Sequence, residues 1–151
     1  MFDIKKLKQL REETGVSFAM CKKALEETKN NIAKSKPLLA KWGAEKVTEK
    51  ATKKTSNGAI FSYVHHNKKI ASVVELLCET DFVAKTQEFQ KLGTELAMQV
   101  ASIPTESSDK LLKQEYIRDP KVRISDLIKD AVLKLGENIK IGKFLRWKLG
   151  E

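Results

Sequence analysis

Two neighbouring runs, GAIFSYVHH (58–66) and IASVVELLCE (70–79), are dense in β-branched and aromatic residues, and they meet at a polar, basic tip, HHNKK. Runs of this composition read as strands, and two joined by a short tip read as a hairpin. Asn57-Gly58 is a turn signal and marks where the hairpin begins. A third such segment lies near the end of the sequence. In IKIGKFLRWKL (139–149), Ile139, Ile141, Leu145, Trp147 and Leu149 fall on one face, with Lys143 the exception. That alternation predicts a half-buried strand that joins the hairpin. Between hairpin and last strand the apolar period becomes helical. Glu88 to Ala101 aligns Phe89, Leu92, Leu96 and Val100 on one stripe and ends at Ile103-Pro104. A short helix is expected around Lys110 to Tyr116. Ser125 is expected to cap another, carrying Leu127, Ile128, Ala131, Val132 and Leu135, with Gly136 at its end. The fold class that follows is α+β: a three-stranded antiparallel sheet with helices packed on one face.

The first 43 residues read as three short helices. Phe2, Ile4, Leu7 and Leu10 recur near helical spacing until Thr14-Gly15. Ser17 is suited to cap a second helix with Met20, Cys21, Ala24 and Leu25 on one side, broken by Asn30-Asn31. The third, Ile32 to Trp42, is expected to close at Gly43, and Pro37 should kink it or delay its start. Residues 44–57 are polar and weakly patterned, a helix extension passing into a linker. The expected organisation is therefore a three-helix module (1–43), a basic link (44–57) and an α+β core (58–151), with no internal repeat.

At 151 residues the chain can bury about two-thirds of its unfolded surface without staples. No stretch of about 18 apolar residues is present, and MFDIKKLKQL has no apolar signal core, so neither a membrane span nor a secretion signal is expected. Cys21 and Cys78 are far apart and lack metal-ligand spacing, which suits two free, buried thiols in a reducing cytoplasm. The net charge of +9 is uneven: residues 1–56 hold 14 Lys/Arg against 7 Asp/Glu, and residues 57–151 hold 15 against 13. That bias suits an acidic partner, protein or nucleic acid.

Catalytic signals are few. There is no phosphate-cradling glycine loop, and no acid pair is spaced for general acid–base work. On a strand, adjacent His65 and His66 would point to opposite faces, and beside Asn67-Lys68-Lys69 at the hairpin tip they read as solvated loop residues. The chain is expected not to be an enzyme, with no cofactor and no metal. A basic nucleic-acid-binding module is the alternative: Lys22, Lys23, Lys46, Lys50, Lys53 and Lys54 could follow phosphates. Against it, Arg11 is the only arginine of the basic third, and apart from Trp42 no aromatic is interleaved with these lysines.

The segment CETDFVAK (78–85) places an acid beside a large aromatic where strand pattern gives way to helix pattern. Either Thr80 or Asp81 could cap a helix with Phe82 packed in the core, or Asp81-Phe82 could be a tip that fills a pocket on a partner. No capping box is present, because neither Thr80 nor Asp81 has Glu or Gln three residues on.

Three stretches, LREETGVSFAMCKKALEET (10–28), CETDFVAKTQEF (78–89) and DLIKDAVLKLGENIKIGKFLRWKLGE (126–151), resemble in order the motifs of the bacterial elongation factor Ts family. The resemblance implies a ubiquitin-associated-like N-terminal module and a guanine nucleotide exchange factor for the GTPase elongation factor Tu in translation elongation. It implies that Thr80, Asp81, Phe82 and Val83 intrude near the nucleotide site and disturb the bound Mg²⁺ and phosphate loop, so that GDP leaves. Arg11, and Phe18 with it, would dock on the GTPase domain. A cytoplasmic homodimer that touches no membrane and no specific nucleic acid is expected, the second copy standing in for a second core half that longer members carry. The chain departs from the family at Gly15-Val16-Ser17-Phe18-Ala19-Met20-Cys21, where G-A-G-M-M-D-C is usual, and at Pro37.

Overall fold

Asp3 opens the first helix by accepting the backbone N–H groups of Lys5 and Lys6, satisfying donors that a helix start leaves orphaned. The helix α1 (Ile4–Thr14) stops where Gly15 takes a left-handed φ of 69° and donates back to Arg11. Ser17 caps α2 (Phe18–Glu27) as expected, and Asn31, read above as a break, also caps α3 (Ile32–Lys50). A computed structural model describes residues 2–151, apart from the side chains at positions 46 and 47; Lys46, named above among the basic residues, therefore lies outside the described side chains. Leu7, Leu10, Cys21, Ala24, Leu25 and Leu39 close a small core between these three helices.

The third helix departs from expectation at Gly43. It starts at Ile32, not late, with Pro37 inside it, and it runs past the expected stop to Lys50, so the expected extension is realised that far. Gly43 is a packing residue, not a cap. A Cβ there would come within 3.2 Å of the Leu133 side chain, so its missing side chain lets α3 approach α7 (Ile124–Leu135). Residues 44–50 thus belong to the helix that ties the N-terminal module to the core.

The core is built on β1 (Asn57–Val64), β2 (Ile70–Cys78) and β5 (Ile139–Lys148), antiparallel in the order β1-β2-β5, which is the expected sheet. Ala59, Phe61 and Tyr63 of β1 and Ser72, Val74, Leu76 and Cys78 of β2 face inward. The helix α5 (Gln87–Ser102) lies across them and buries Phe89, Leu92, Leu96 and Val100, the predicted stripe. Ser72 is buried with them and donates its hydroxyl to the Ala97 carbonyl. The remaining elements are α4 (Asp81–Ala84), α6 (Ser108–Lys113) and a two-stranded ribbon of β3 (Glu115–Tyr116) and β4 (Asp119–Arg123). The expected helix at 110–116 is therefore shorter, because residues 115–116 pair with β4. Ser125 lies inside α7, whose N-cap is Arg123; Asp126 accepts the Arg123 N–H at 2.9 Å, and the buried Ile124 starts the helix.

Only half of the expected face of the last strand holds. Leu76 pairs with Ile141, but Val74 pairs with Phe144, so β5 carries one extra residue across a bulge. Side chains alternate with a period of two, so one inserted residue turns everything beyond it over. Ile139 and Ile141 face the core, after which Phe144 and Arg146 take the inner positions, and Arg146 donates to the Ala101 carbonyl at 3.0 Å. Leu145 and Trp147, expected beside Ile139, lie on the outer face at 55% and 67% exposure. Ile60, Val64 and Val73 are exposed on that face too.

Gly93 of α5 faces the Phe61 ring so closely that a Cβ would overlap it. Phe61 in turn packs against Phe89, with ring centroids 6.1 Å apart. Gly93→Ala is expected to destabilise the core by about 1–3 kcal/mol through overpacking. Urea unfolding followed by circular dichroism checks this, as a lower midpoint with an unchanged slope.

Candidate functional site

The segment after β2 is a single helical turn held at both ends. Thr80 is its N-cap, extended at φ −128°, and its hydroxyl oxygen accepts from Val83 N–H. On the far side Thr86 caps α5 by accepting from Phe89 N–H at 3.2 Å, and its own hydroxyl donates to the Val83 carbonyl at 2.7 Å. The Gln90 amide donates to the Ala84 carbonyl at 2.8 Å. Four residues make one turn, so the faces divide cleanly. Val83, 9% exposed, and Ala84 pack into the core. Asp81 and Phe82 point away from it.

Phe82 is 81% exposed. The cap-and-core alternative therefore splits: Thr80, one of the two expected candidates, is the cap, but the core residue is Val83 and not Phe82. Phe82 is a bare aromatic on a rigid turn. Among the described residues its neighbour Asp81 pairs with the exposed Lys85 ammonium at 3.6 Å, an i,i+4 pair that contributes little in solvent.

From the other side of the turn comes a residue that sequence reasoning missed. The Glu137 carboxylate, between α7 and β5, accepts Glu79 N–H at 3.1 Å and Thr80 N–H at 2.9 Å on one oxygen, and the Thr80 hydroxyl at 2.7 Å on the other. No local signal could reveal this, because the partners lie 57 and 58 residues apart. Only the pairing of Cys78 with Ile139 brings them together.

Arg11 and Phe18 form a second feature on the N-terminal module. The Arg11 guanidinium stacks 4.0 Å above the Phe18 ring, which is itself 46% exposed. Lys22 lies over Phe2 and Lys23 over Trp42 at 5.0 and 4.9 Å. Cations cover Phe2, Phe18 and Trp42 of this module, whereas among the described residues none lies over Phe82.

The residues set aside as non-catalytic fall where chemistry is weak. Cys21 and Cys78 are buried, and burial raises both thiol pKa values, so neither is a reactive thiolate. His65 and His66 lie beyond β1 at the hairpin tip, where loop residues are expected, with ring centroids 4.1 Å apart. His65 Nδ1 bonds the Tyr63 hydroxyl at 2.9 Å. Among the described residues no His, Cys, Asp and Glu gather in a set of three that could hold a metal. No described helix is long and apolar enough to cross a membrane.

A helical module fastened to a one-sided α+β core, with an uncovered aromatic on a stiff turn, has the build of a factor that docks on another macromolecule. The family described as Elongation factor TS matches residues 79–151, which begin at this turn. The elongation factor Ts of Thermosipho melanesiensis is 37% identical over 196 aligned positions that cover 100% of both chains. Those of Coprothermobacter proteolyticus and Nitratidesulfovibrio vulgaris are each 36% identical, over 96% of this chain and 96% of the first, and over 95% and 94% for the second. The chain belongs to the elongation factor Ts family. The aligned span of 196 positions exceeds the 151 residues of this chain, so the Thermosipho relative carries residues with no counterpart here.

Phe82→Ala is expected to change unfolding free energy by no more than about 0.5 kcal/mol, since the ring touches little. Phe89→Ala, fully buried seven residues later, is expected to cost about 3–5 kcal/mol. Paired denaturation curves check the contrast. Native protein is expected to react with a thiol reagent at both cysteines far more slowly than protein unfolded in guanidinium.

Proposed function

We propose that this chain is a guanine nucleotide exchange factor for elongation factor Tu, acting in the cytoplasm during translation elongation. The observation that carries the reading is the exposed Phe82 on a turn tied at both ends, within a chain of the elongation factor Ts family.

An exchange factor needs no acid or base of its own. It must bind the nucleotide-free GTPase better than the GDP-bound form, and by linkage that difference weakens GDP. A rigid aromatic filling a pocket beside the nucleotide site achieves this if GDP and the ring cannot both be accommodated at full affinity. The Asp81 carboxylate, whose ion pair with Lys85 is exposed to solvent, disfavours phosphates nearby and competes for the electrostatic environment of the Mg²⁺ that neutralises them. In this reading Thr80 sets the turn, Val83 anchors it from the core side, and Phe82 and Asp81 make the contact. Arg11 and Phe18 dock the helical module on the GTPase domain, the guanidinium and ring presenting one joint surface.

We further propose that the outer sheet face pairs with a second copy. Ile60, Val73, Leu145 and Trp147 lie on that face and are exposed, and paired sheets bury such faces against each other.

Release of a fluorescent GDP analogue from the cognate elongation factor Tu tests the first proposal. The wild type should accelerate release, and Phe82→Ala should lower the acceleration by about tenfold or more, as loss of an interface hot spot does. An inactive, folded wild type would overturn it. For the second, light scattering should give twice the chain mass for the wild type, and Trp147→Lys should give a monomer. A monomeric wild type sinks the pairing and leaves the exchange reading standing.

A further inference from the structure

Glu137 sits just beyond the glycine that ends α7, half-buried, and none of the ion pairs among the described residues involves it. Both of its oxygens are committed to the base of the Phe82 turn: Oε1 accepts Glu79 N–H and Thr80 N–H, and Oε2 accepts the Thr80 hydroxyl. The contact is reciprocal, since the Glu79 carboxylate accepts Asn138 N–H at 2.7 Å. Asn57 Nδ2 donates to the Glu79 carbonyl at 2.9 Å, and Cys78 Sγ donates to the Thr80 carbonyl at 3.0 Å. All four backbone polar groups of Glu79 and Thr80 are thereby paired. Three donors converge on one side chain, and a carboxylate is the acceptor-only group that can take all three.

We infer that Glu137 is a positioning residue for exchange: it holds the Thr80 end of the turn so that Phe82 and Asp81 stand in one orientation before a partner arrives. This rests on the reading of Phe82 as the exchange wedge. A wedge displaces a ligand only if its base does not yield, and ordering it in advance removes an entropy cost from the binding step. Phe82 has almost no packing of its own to fix it, so its direction is set by the backbone beneath. That backbone is fixed on the core side by Val83 and on the strand side by Glu137. The same link also receives the end of α3: Lys50 Nζ donates to the Gly136 carbonyl at 2.6 Å, and Asn138 Nδ2 donates to the Lys53 carbonyl at 2.9 Å. The tip and the N-terminal module therefore share one anchor, residues 136–138.

The test compares wild type, Phe82→Ala, Glu137→Ala, Glu137→Gln and Glu137→Asp in full-length protein, by GDP-analogue release from elongation factor Tu and by amide hydrogen exchange. Glu137→Ala should lower the maximal release rate by about tenfold while the concentration for half-maximal effect changes little, because the docking surface at Arg11 and Phe18 is untouched. Its amides at Glu79, Thr80 and Val83 should exchange about tenfold faster or more, and those of α5 should not. Glu137→Gln should recover most of the rate, since its carbonyl oxygen can take both N–H groups and its amide can donate to the Thr80 hydroxyl. Glu137→Asp keeps the charge on a shorter arm and carries the test if the alanine variant fails to fold; it should be slow like alanine. Full activity in Glu137→Asp or in folded Glu137→Ala, beside an inactive Phe82→Ala, overturns the inference and leaves the exchange reading intact. Unchanged amide exchange at Glu79 and Thr80 overturns it as well. A wild type that does not accelerate release overturns the exchange reading, and the positioning role falls with it.

Discussion

A three-stranded sheet has two faces, and this chain has helices for one. The inner residues of β1 and β2 must be buried, and α5 with the short α4 covers them, while α7 packs on α5 and β5. Burial of each large side chain is worth about 1.5–3 kcal/mol, and the cluster around Phe89 and Leu96 holds the core against chain entropy. Everything else is arranged around that one-sided packing. The chain must leave β2 and turn at once into the helices that cover it. The turn that makes this reversal is Thr80 to Lys85, and Phe82 on it is 81% exposed.

A short turn at a sheet end is a good place for a rigid contact residue. Its backbone is over-determined by the elements on both sides, so an exposed side chain there is steered without being buried. Val83 and Thr86 secure one flank and Glu137 the other. The module of α1 to α3 is not loosely tethered to this arrangement. The helix α3 passes Gly43 closely against α7 and ends beside the link that carries Glu137. Phe18 beneath Arg11 and the exposed Phe82 thus belong to one connected scaffold.

The outer sheet face is the unbalanced part of the same design. The bulge in β5 sends Leu145 and Trp147 outward and Phe144 inward, so one inserted residue sets which apolar groups make the core and which remain on the surface. A sheet covered on both sides by its own helices would bury them; here only a second surface can.

Local chemistry sufficed for much of the fold. Strand composition marked the hairpin, helical stripes marked α5 and α7, and Ser17, Gly15 and Gly136 punctuated helices where their hydrogen-bonding and φ preferences require. The T-D-F-V tip was legible too, as an acid and an aromatic at a change of period, but its exposure was not: a cap and a core residue fit the same letters. That was decided by which side of a four-residue turn met the core. Gly43 read as a stop because a glycine's local meaning is a cap; its use as a helix contact exists only once Leu133 is opposite it. The face of Trp147 followed from a bulge, a mismatch between two strands that neither strand carries alone. Glu137 is the plainest case. The sequence alone specified a strand, a turn and a helix around Phe82, since those depend on neighbouring residues. The hydrogen bonds that hold the turn come from across the sheet, and only strand pairing brings so distant a carboxylate within their 2.7–3.1 Å reach.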